Sequence, residues 1–407
     1  MSPLNGTPMR LLIVTRENQQ DKAYGLGKTL QPLLQVLASR GHHIDYFSKE
    51  SCHHAHQRWH PKISRWLTPV FANLAPAIAE RIVQGIAAAT RAIATHVTHV
   101  WAHDPWLVWG IKLGLLRKKC LKRPFKLIVT EHGLGSFTWA VAQDGLDIPD
   151  KMYKRLLKAE RRVLMGADHV FIPSHIAKAA LVRDLHLEKE QHKITVMGYG
   201  RPEIERPDKA AALKHFGKPA SDQLFTVVAV GRLAPVKNFP VLIKACALLE
   251  HKYGIPVQVI IAGGGDPQNL QDLAEQLNLS HKPVIRFEAD ISWTLAAADL
   301  YVSTCAAESY GQANREAIAA GVPVIAPSQG GSGEVLGLGA CLIPMGQTAD
   351  SSTDLAEQGS ARLADAMADL LSNPDTYNYW RNKARQASKS WLTWEQIANY
   401  YEQQLSS

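Results

Sequence analysis

The feature that most constrains this chain is an alternation of short apolar runs with helix-forming stretches, repeated in both halves. Residues 10–15, 44–47, 98–102, 127–130 and 169–173 are such runs in the first half, and 224–230, 257–262, 284–288, 300–304 and 323–327 in the second. Apolar runs of this length bounded by turn residues read as strands buried on both faces. Parallel strands need a long crossover, usually a helix, between them. Two series of this kind predict an α/β protein with two doubly wound domains. The 407 residues exceed one compact core and suffice for two. The Pro- and Gly-rich piece 198–207 is the best boundary between them.

The most informative stretch is 300–323. It reads as a strand (300–304), a loop carrying Glu308, and a helix carrying Glu316; Gly321 stops the helix and Pro323 opens the next apolar run. A helix that starts beyond a strand's carboxyl end presents free N–H groups and a positive dipole end. Two carboxylates beside an anion site suit a ligand with phosphate in the middle and hydroxyls on both sides.

Several other motifs have competing readings. The segment Tyr24-Gly-Leu-Gly-Lys-Thr29 follows the first strand, but a Walker A loop needs glycine where Lys22 stands. Gly263-Gly-Gly-Asp266 misses the dinucleotide fingerprint because Gln268 holds the last position. The histidines of 51–60 could ligate a metal; no carboxylate accompanies them, and a solvated surface loop is the favoured reading. Ile78, Ile82, Ile86 and Ile93 fall on one helical face, with Glu80, Arg81, Gln84 and Arg91 elsewhere, predicting a core-packing helix. Asp104 and Pro105 suit the N-cap and first position of the next helix.

The setting Glu308-Ser-Tyr-Gly … Glu316-Ala-Ile-Ala-Ala-Gly-Val-Pro-Val resembles the Glu-x7-Glu motif of retaining GT-B glycosyltransferases, family 4 in particular. The resemblance implies a GT-B fold, two Rossmann-like domains facing across a cleft. Residues 1–200 would bind the acceptor and 201–388 the nucleotide sugar, while a helix in 389–407 crosses back to the first domain. It implies that Glu316 holds the donor ribose and Glu308 contacts the transferred sugar, with Ser309, Tyr310, Gly311 and Gln312 also at the donor. Arg232 and Lys237 look like the family's diphosphate-binding pair. Gly25 and Gly27 look like its glycine turn, with a simple turn glycine as the alternative. His132, in Thr-x-His-Gly, resembles the histidine that contacts the donor sugar, and His103 is a weaker candidate. The turn at 330–334 is also family-like. The chain departs from the family with Gly-Leu-Gly at 25–27 where Gly-Gly is common, and with Gly-Tyr-Gly at 198–200 where Pro-Asn-Gly is common.

The implied reaction is transfer of a sugar from a nucleoside diphosphate to an acceptor hydroxyl, with retention and an oxocarbenium-like transition state. No Asp-x-Asp motif stands at a strand end, so neither a metal nor a cofactor is expected. The net charge of +8 admits an anionic partner. Basic residues crowd 112–126 and 151–162, and six of the ten tryptophans lie in the first half. Solvated helix faces and core packing are the plain explanations; attraction to anionic headgroups is the functional one. The expected partners are a nucleotide sugar, a sugar-containing or lipid-linked acceptor, and an anionic membrane surface. Nucleic acid is not expected, because the basic residues lack interleaved stacking aromatics. Five cysteines without a Cys-x-x-Cys, a start unlike a signal peptide, and no bilayer-length apolar run predict a cytoplasmic protein, with the inner face of the plasma membrane as a docking place. Cell-envelope polysaccharide or glycoconjugate assembly is the implied setting. A GT-B phosphorylase, a sugar-nucleotide epimerase, and a non-catalytic sugar-nucleotide-binding subunit remain as rivals.

Overall fold

The computed structural model describes residues 8–19, 25–120, 123–219, 224–345 and 353–406. They divide into two units. One gathers Met1–Ala142, Leu146–Gly200 and Thr393–Ser407, and the other Gln143–Gly145 and Arg201–Leu392.

The first unit holds strands β1 (Arg10–Val14), β2 (His43–Phe47), β3 (His99–Ala102), β4 (Lys126–Thr130), β5 (His169–Ile172) and β6 (Ile194–Val196). They form one sheet in the order β2-β1-β3-β4-β5-β6, with every neighbouring pair parallel. Strand periodicity sorts its residues onto two faces. Leu12, Val14, Val100, Val129 and Ile172 join a core with the helices Ala75–Ala94 and Pro105–Arg117. Leu11, Ile13, Trp101, Ile128 and Phe171 join another with the helix Gly25–Ser39 and the last helix, Trp394–Ser406.

That last helix buries Trp394, Ile397, Ala398, Tyr401 and Leu405, at helical spacing, against the first sheet. Glu402 accepts from Arg40 at 2.6 Å and lies 2.9 Å from His42 Nε2. Gly200 lies where a Cβ would sit 2.3 Å from the Trp394 ring, so only glycine admits this indole.

The second unit holds β7 (Phe225–Val230), β8 (Val257–Ala262), β9 (Val284–Arg286), β10 (Leu300–Val302), β11 (Val324–Pro327) and β12 (Cys341–Ile343). Their order is β12-β11-β10-β7-β8-β9, again all parallel. From β7 the chain first steps outward through β8 and β9, then returns to build β10, β11 and β12 on the other side. The connections therefore reverse between β7 and β10. In the first sheet they reverse between β1 and β3.

Several sequence expectations are corrected. Residues 51–60 are not a loop: a short 3-10 turn leads into the helix His53–Phe71, whose Leu67 and Phe71 are buried and which packs on Ala75–Ala94. The polar run hid an apolar stripe that begins only at Ile63. The first helix is described from Gly25, ahead of Leu30, so Gly25 and Gly27 lie within it; Lys22 and Tyr24 fall outside the described residues. Arg81 and Gln84, off the isoleucine face, are buried as well. Helices at Phe137–Gln143, His175–Leu185, Lys209–His215 and Gln268–Gln276, and β12, had no counterpart in the sequence reading.

Asp104 is the N-cap expected of it: one carboxylate oxygen accepts from Trp106 N at 2.8 Å. The other accepts from Arg81 Nε at 2.5 Å, and both side chains are nearly buried. Removing one partner of a buried pair strands the other charge. Asp104→Ala is expected to lower the stability of the first unit by roughly 3–5 kcal/mol, and Asp104→Asn, which keeps the cap, by less. Denaturant unfolding monitored by tryptophan fluorescence checks both; equal, small effects would show that the pair contributes little.

Candidate active site

In an open α/β sheet, ligands bind outside the carboxyl ends of the strands where the connections reverse. In the second unit that place lies beyond β7 and β10. Arg232 and Lys237 follow β7; Glu308 and the helix Gln312–Ala319 follow β10. Arg232, Lys237, Glu308 and Glu316, singled out in the sequence, thus all follow the carboxyl ends of these two neighbouring strands, whereas Gly25, Gly27 and His132 belong to the first unit. Lys237 ends a 3-10 turn, Pro235–Lys237, and its ammonium donates to Glu308 Oε1. Burial alone would lower the Lys237 pKa, but the adjoining Glu308 carboxylate outweighs it and raises the pKa above the usual lysine value. Arg232 is more exposed and pairs with Asp144 at 3.0 Å.

The Glu308 loop is held by backbone contacts. Gly331 N donates to Glu308 O at 2.6 Å. A Cβ on Gly331 would stand 1.9 Å from Ser309 O, so this close approach requires glycine. Thr304 donates to Lys237 O at 2.6 Å and ties the end of β10 to the 3-10 turn. Gly311, at φ 72°, caps the helix Gln312–Ala319. Within that helix Asn314, Arg315 and Glu316 are all buried. Asn314 links Tyr301 (3.1 Å) and Ser332 (3.0 Å), and the Arg315 guanidinium lies 5.0 Å from the Tyr310 ring and 4.4 Å from Trp391. Glu316 is therefore set into the helix base, whereas Glu308, Ser309 and Tyr310 are only partly buried. Burial, followed by the Glu308 carboxylate, pushes the Cys305 thiol up to about 12.

The first unit has a second polar cluster, beyond β3 and β4. His132 bonds through both ring nitrogens: Nδ1 to the Tyr199 hydroxyl at 2.9 Å and Nε2 to His103 Nδ1 at 3.1 Å. Below them Glu131 and Glu160 are buried, and Glu160 receives Phe137 N, Thr138 N and the Thr138 hydroxyl at the start of the helix Phe137–Gln143. Burial raises both carboxyls, Glu160 to about 7 and Glu131 well above its ordinary value. Tyr199 was missed by sequence reasoning. It lies in the supposed linker, and no local pattern signals a partner 67 positions away. Among the described residues no group of three or more His, Cys, Asp and Glu side chains is placed to hold a metal ion; His56 and His60 stack at 4.4 Å on one helix.

Burial lowers His132 to about 4, and it lowers His103 further below its ordinary value with help from His132. The unfolded chain therefore binds more protons at these sites between pH 4 and 6.5. The stability that His132 contributes is complete above pH 6.5 and is lost as pH falls towards 4. The melting temperature of His132→Gln is expected to gain on wild type as pH drops through that window. Parallel curves of melting temperature against pH would contradict it.

Comparison with known proteins bears on the fold and the family. The profile described as Glycosyltransferase Family 4 matches residues 24–200, and that described as Glycosyl transferases group 1 matches residues 212–387. A D-inositol 3-phosphate glycosyltransferase of Mycobacterium sp. (strain KMS) is 29% identical over 215 residues, 50% of this chain and 46% of the relative, so the match spans about half the length of such curated relatives. Among solved structures, HepE of Anabaena, in complex with UDP and glucose, is 17% identical, covers 98% of this chain and 100% of its own, and superposes with TM-score 0.66. A sucrose-phosphate synthase from Thermosynechococcus elongatus is 19% identical with TM-score 0.68, over 97% of this chain and 98% of its own. With one profile on each half and GT-B neighbours along the whole length, the chain belongs to glycosyltransferase family 4, the glycosyl transferases group 1, and has the GT-B fold.

Proposed function

We propose that this chain transfers a sugar from a nucleoside diphosphate sugar to an acceptor hydroxyl with retention of configuration. The observation that carries the reading is the convergence of Lys237, Glu308 and the start of the helix Gln312–Ala319 beyond the carboxyl ends of β7 and β10. When the glycosidic bond breaks, negative charge grows on the departing diphosphate. Lys237 and Arg232 are fixed cations suited to stabilise it without a metal ion, and helix N–H groups add to them. Glu308, bonded to Lys237, takes the role of orienting the transferred sugar. Glu316 takes the role of holding the ribose, and Ser309, Tyr310, Gly311 and Gln312 the sugar and nucleotide between. His132 would meet the sugar, and Gly25 and Gly27 the diphosphate. That HepE was solved with UDP and glucose favours a uridine donor as the first to try.

The first test is a thermal-shift panel of UDP, GDP, ADP and their sugar conjugates, with Mg²⁺ or EDTA. One nucleotide is expected to raise the melting temperature equally in both, and Glu316→Ala to abolish the rise. Lys237→Ala and Glu308→Ala are each expected to cut transfer by about 10²–10³. Wild-type rates in both variants would remove the site; no shift in the panel would remove the donor reading.

The acceptor is proposed to be lipid-linked, in cell-envelope polysaccharide or glycoconjugate assembly, and reached at an anionic membrane surface. No described helix is long and apolar enough to cross a membrane. The helix His53–Phe71 does expose Trp66 (72%) and Val70 beside Arg58, Lys62 and Arg65. Leu116 (71%) is exposed next to Arg117, whose guanidinium lies 5.7 Å from the Trp59 ring and joins the two helices into one patch. Apolar side chains flanked by cations suit an interface of anionic headgroups. Vesicles containing phosphatidylglycerol are expected to float wild type at low salt and to leave Trp66→Ser/Leu116→Ser in the soluble fraction. Flotation of neither protein would exclude the surface.

A further inference from the structure

On the second sheet, the strand ends opposite to Lys237 and Glu308 carry a cluster of arginines that the donor reading does not use. The helix Pro374–Ser390 reaches the amino ends of β10 and β11 there. Its Tyr377 hydroxyl donates to the carbonyl of Asp299, the residue before β10, at 3.2 Å. A Cβ on Gly321, three residues before β11, would stand 3.4 Å from Arg385 Nε. Tyr377, Arg381 and Arg385 are spaced by four and share one helical face.

Arg206 joins them from the connection 201–207, which is neither helix nor strand. Arg201 and Arg206 each precede a proline, which favours extended backbone. Arg201 N donates to Leu392 O at 2.8 Å, just beyond the helix. Ile204 packs on the core that holds Ala384, with Ala387 and Trp391 beside it, so the connection runs back along the helix. Five extended residues cover about 17 Å. Measured back from Leu392, that length ends between Arg385, about 14 Å away, and Arg381, about 20 Å away. Partial burial, followed by the charges of Arg381 and Arg385, lowers the Arg206 pKa below its ordinary value, in keeping with this placing.

Like charges held together repel unless an anion lies among them, and arginine cannot deprotonate to relieve the repulsion. Among the described residues no carboxylate supplies that anion, and none of the three guanidinium groups has a hydrogen bond or an ion pair. The Asp299 carboxylate is taken by Lys209 Nζ and Thr226 N. Glu203 and Glu205, on the same connection, are exposed. The carboxyl end of the helix Gln312–Ala319 is closed by Gly321 N and Val322 N, which donate to Ile318 O and Ala317 O.

We propose that Arg206, Arg381 and Arg385 bind a phosphate group, as the free ion or as a phosphate monoester. Planar guanidinium forks match phosphate oxygens, and three of them outweigh its double charge. The site lies at the other strand edge from Lys237 and Glu308 and does not depend on the donor reading.

The test is isothermal titration of the full chain with inorganic phosphate and with glucose 6-phosphate, in constant sodium chloride. Lys237 and Arg232 also attract phosphate, so Arg232→Ala/Lys237→Ala is titrated alongside and is expected to bind within threefold of wild type. Arg381→Gln/Arg385→Gln is expected to lose at least tenfold, with thermal unfolding showing it folded. Arg206→Gln, outside the helix, gives an independent reading and is expected to lose at least threefold. Glucose 6-phosphate binding at least tenfold more tightly than phosphate identifies a monoester; similar or weaker binding identifies the free ion. The proposal is overturned if wild type binds neither, if Arg381→Gln/Arg385→Gln or Arg206→Gln binds like wild type, or if the loss falls on Arg232→Ala/Lys237→Ala instead.

Discussion

A parallel sheet whose two faces are both packed under helices has only its strand ends left for a ligand. Both sheets obey this constraint. Leu12 and Val14 are buried on one face and Leu11 and Ile13 on the other, and the strands of the second sheet alternate in the same way between two cores. At the carboxyl ends, loops whose connections run in opposite directions part and leave a crevice. In the second unit that crevice falls between β7 and β10, which is why residues as far apart as Lys237 and Glu308 come together.

The two strand edges solve the problem of buried polarity differently. In the second unit a full ionic pair, Lys237 with Glu308, is only partly covered, so each charge compensates the other's desolvation. In the first unit burial favours neutral forms: His103 and His132 are pushed down, Glu131 and Glu160 up. A charged edge suits a ligand's diphosphate. A neutral edge of hydroxyl and imidazole groups suits directional hydrogen bonds, whose geometry and tautomer matter more than net charge.

Packing protects these arrangements from below. The Glu308 loop is clamped by a backbone bond from Gly331 and by the close approach of the two chains. The helix behind it is fixed by Asn314, bonded to both Tyr301 and Ser332. In the first unit, Trp394 against Gly200 brings the last helix onto the sheet beside Trp101, and Trp101 in turn supports His103.

The sequence by itself determined most of the strands, though not β12, because a run such as Val257–Ala262 can be satisfied only by burial on both faces. It also determined the cap at Asp104 and the placing of Glu308, Arg232 and Lys237 after strands, since caps and strand ends are local patterns. What it could not determine depended on distant partners. Residues 53–60 looked polar enough for a loop, yet their helix is stabilised by an apolar stripe that packs on Ala75–Ala94. Arg81 stood only off the isoleucine face of its helix until the fold supplied Asp104 as its counter-charge. Tyr199 read as linker until the fold brought it to His132. Local propensity is a property of neighbouring residues, whereas desolvation and hydrogen bonding are settled by whatever the tertiary structure places within a few ångströms, and that alone decided which polar residues became part of the site.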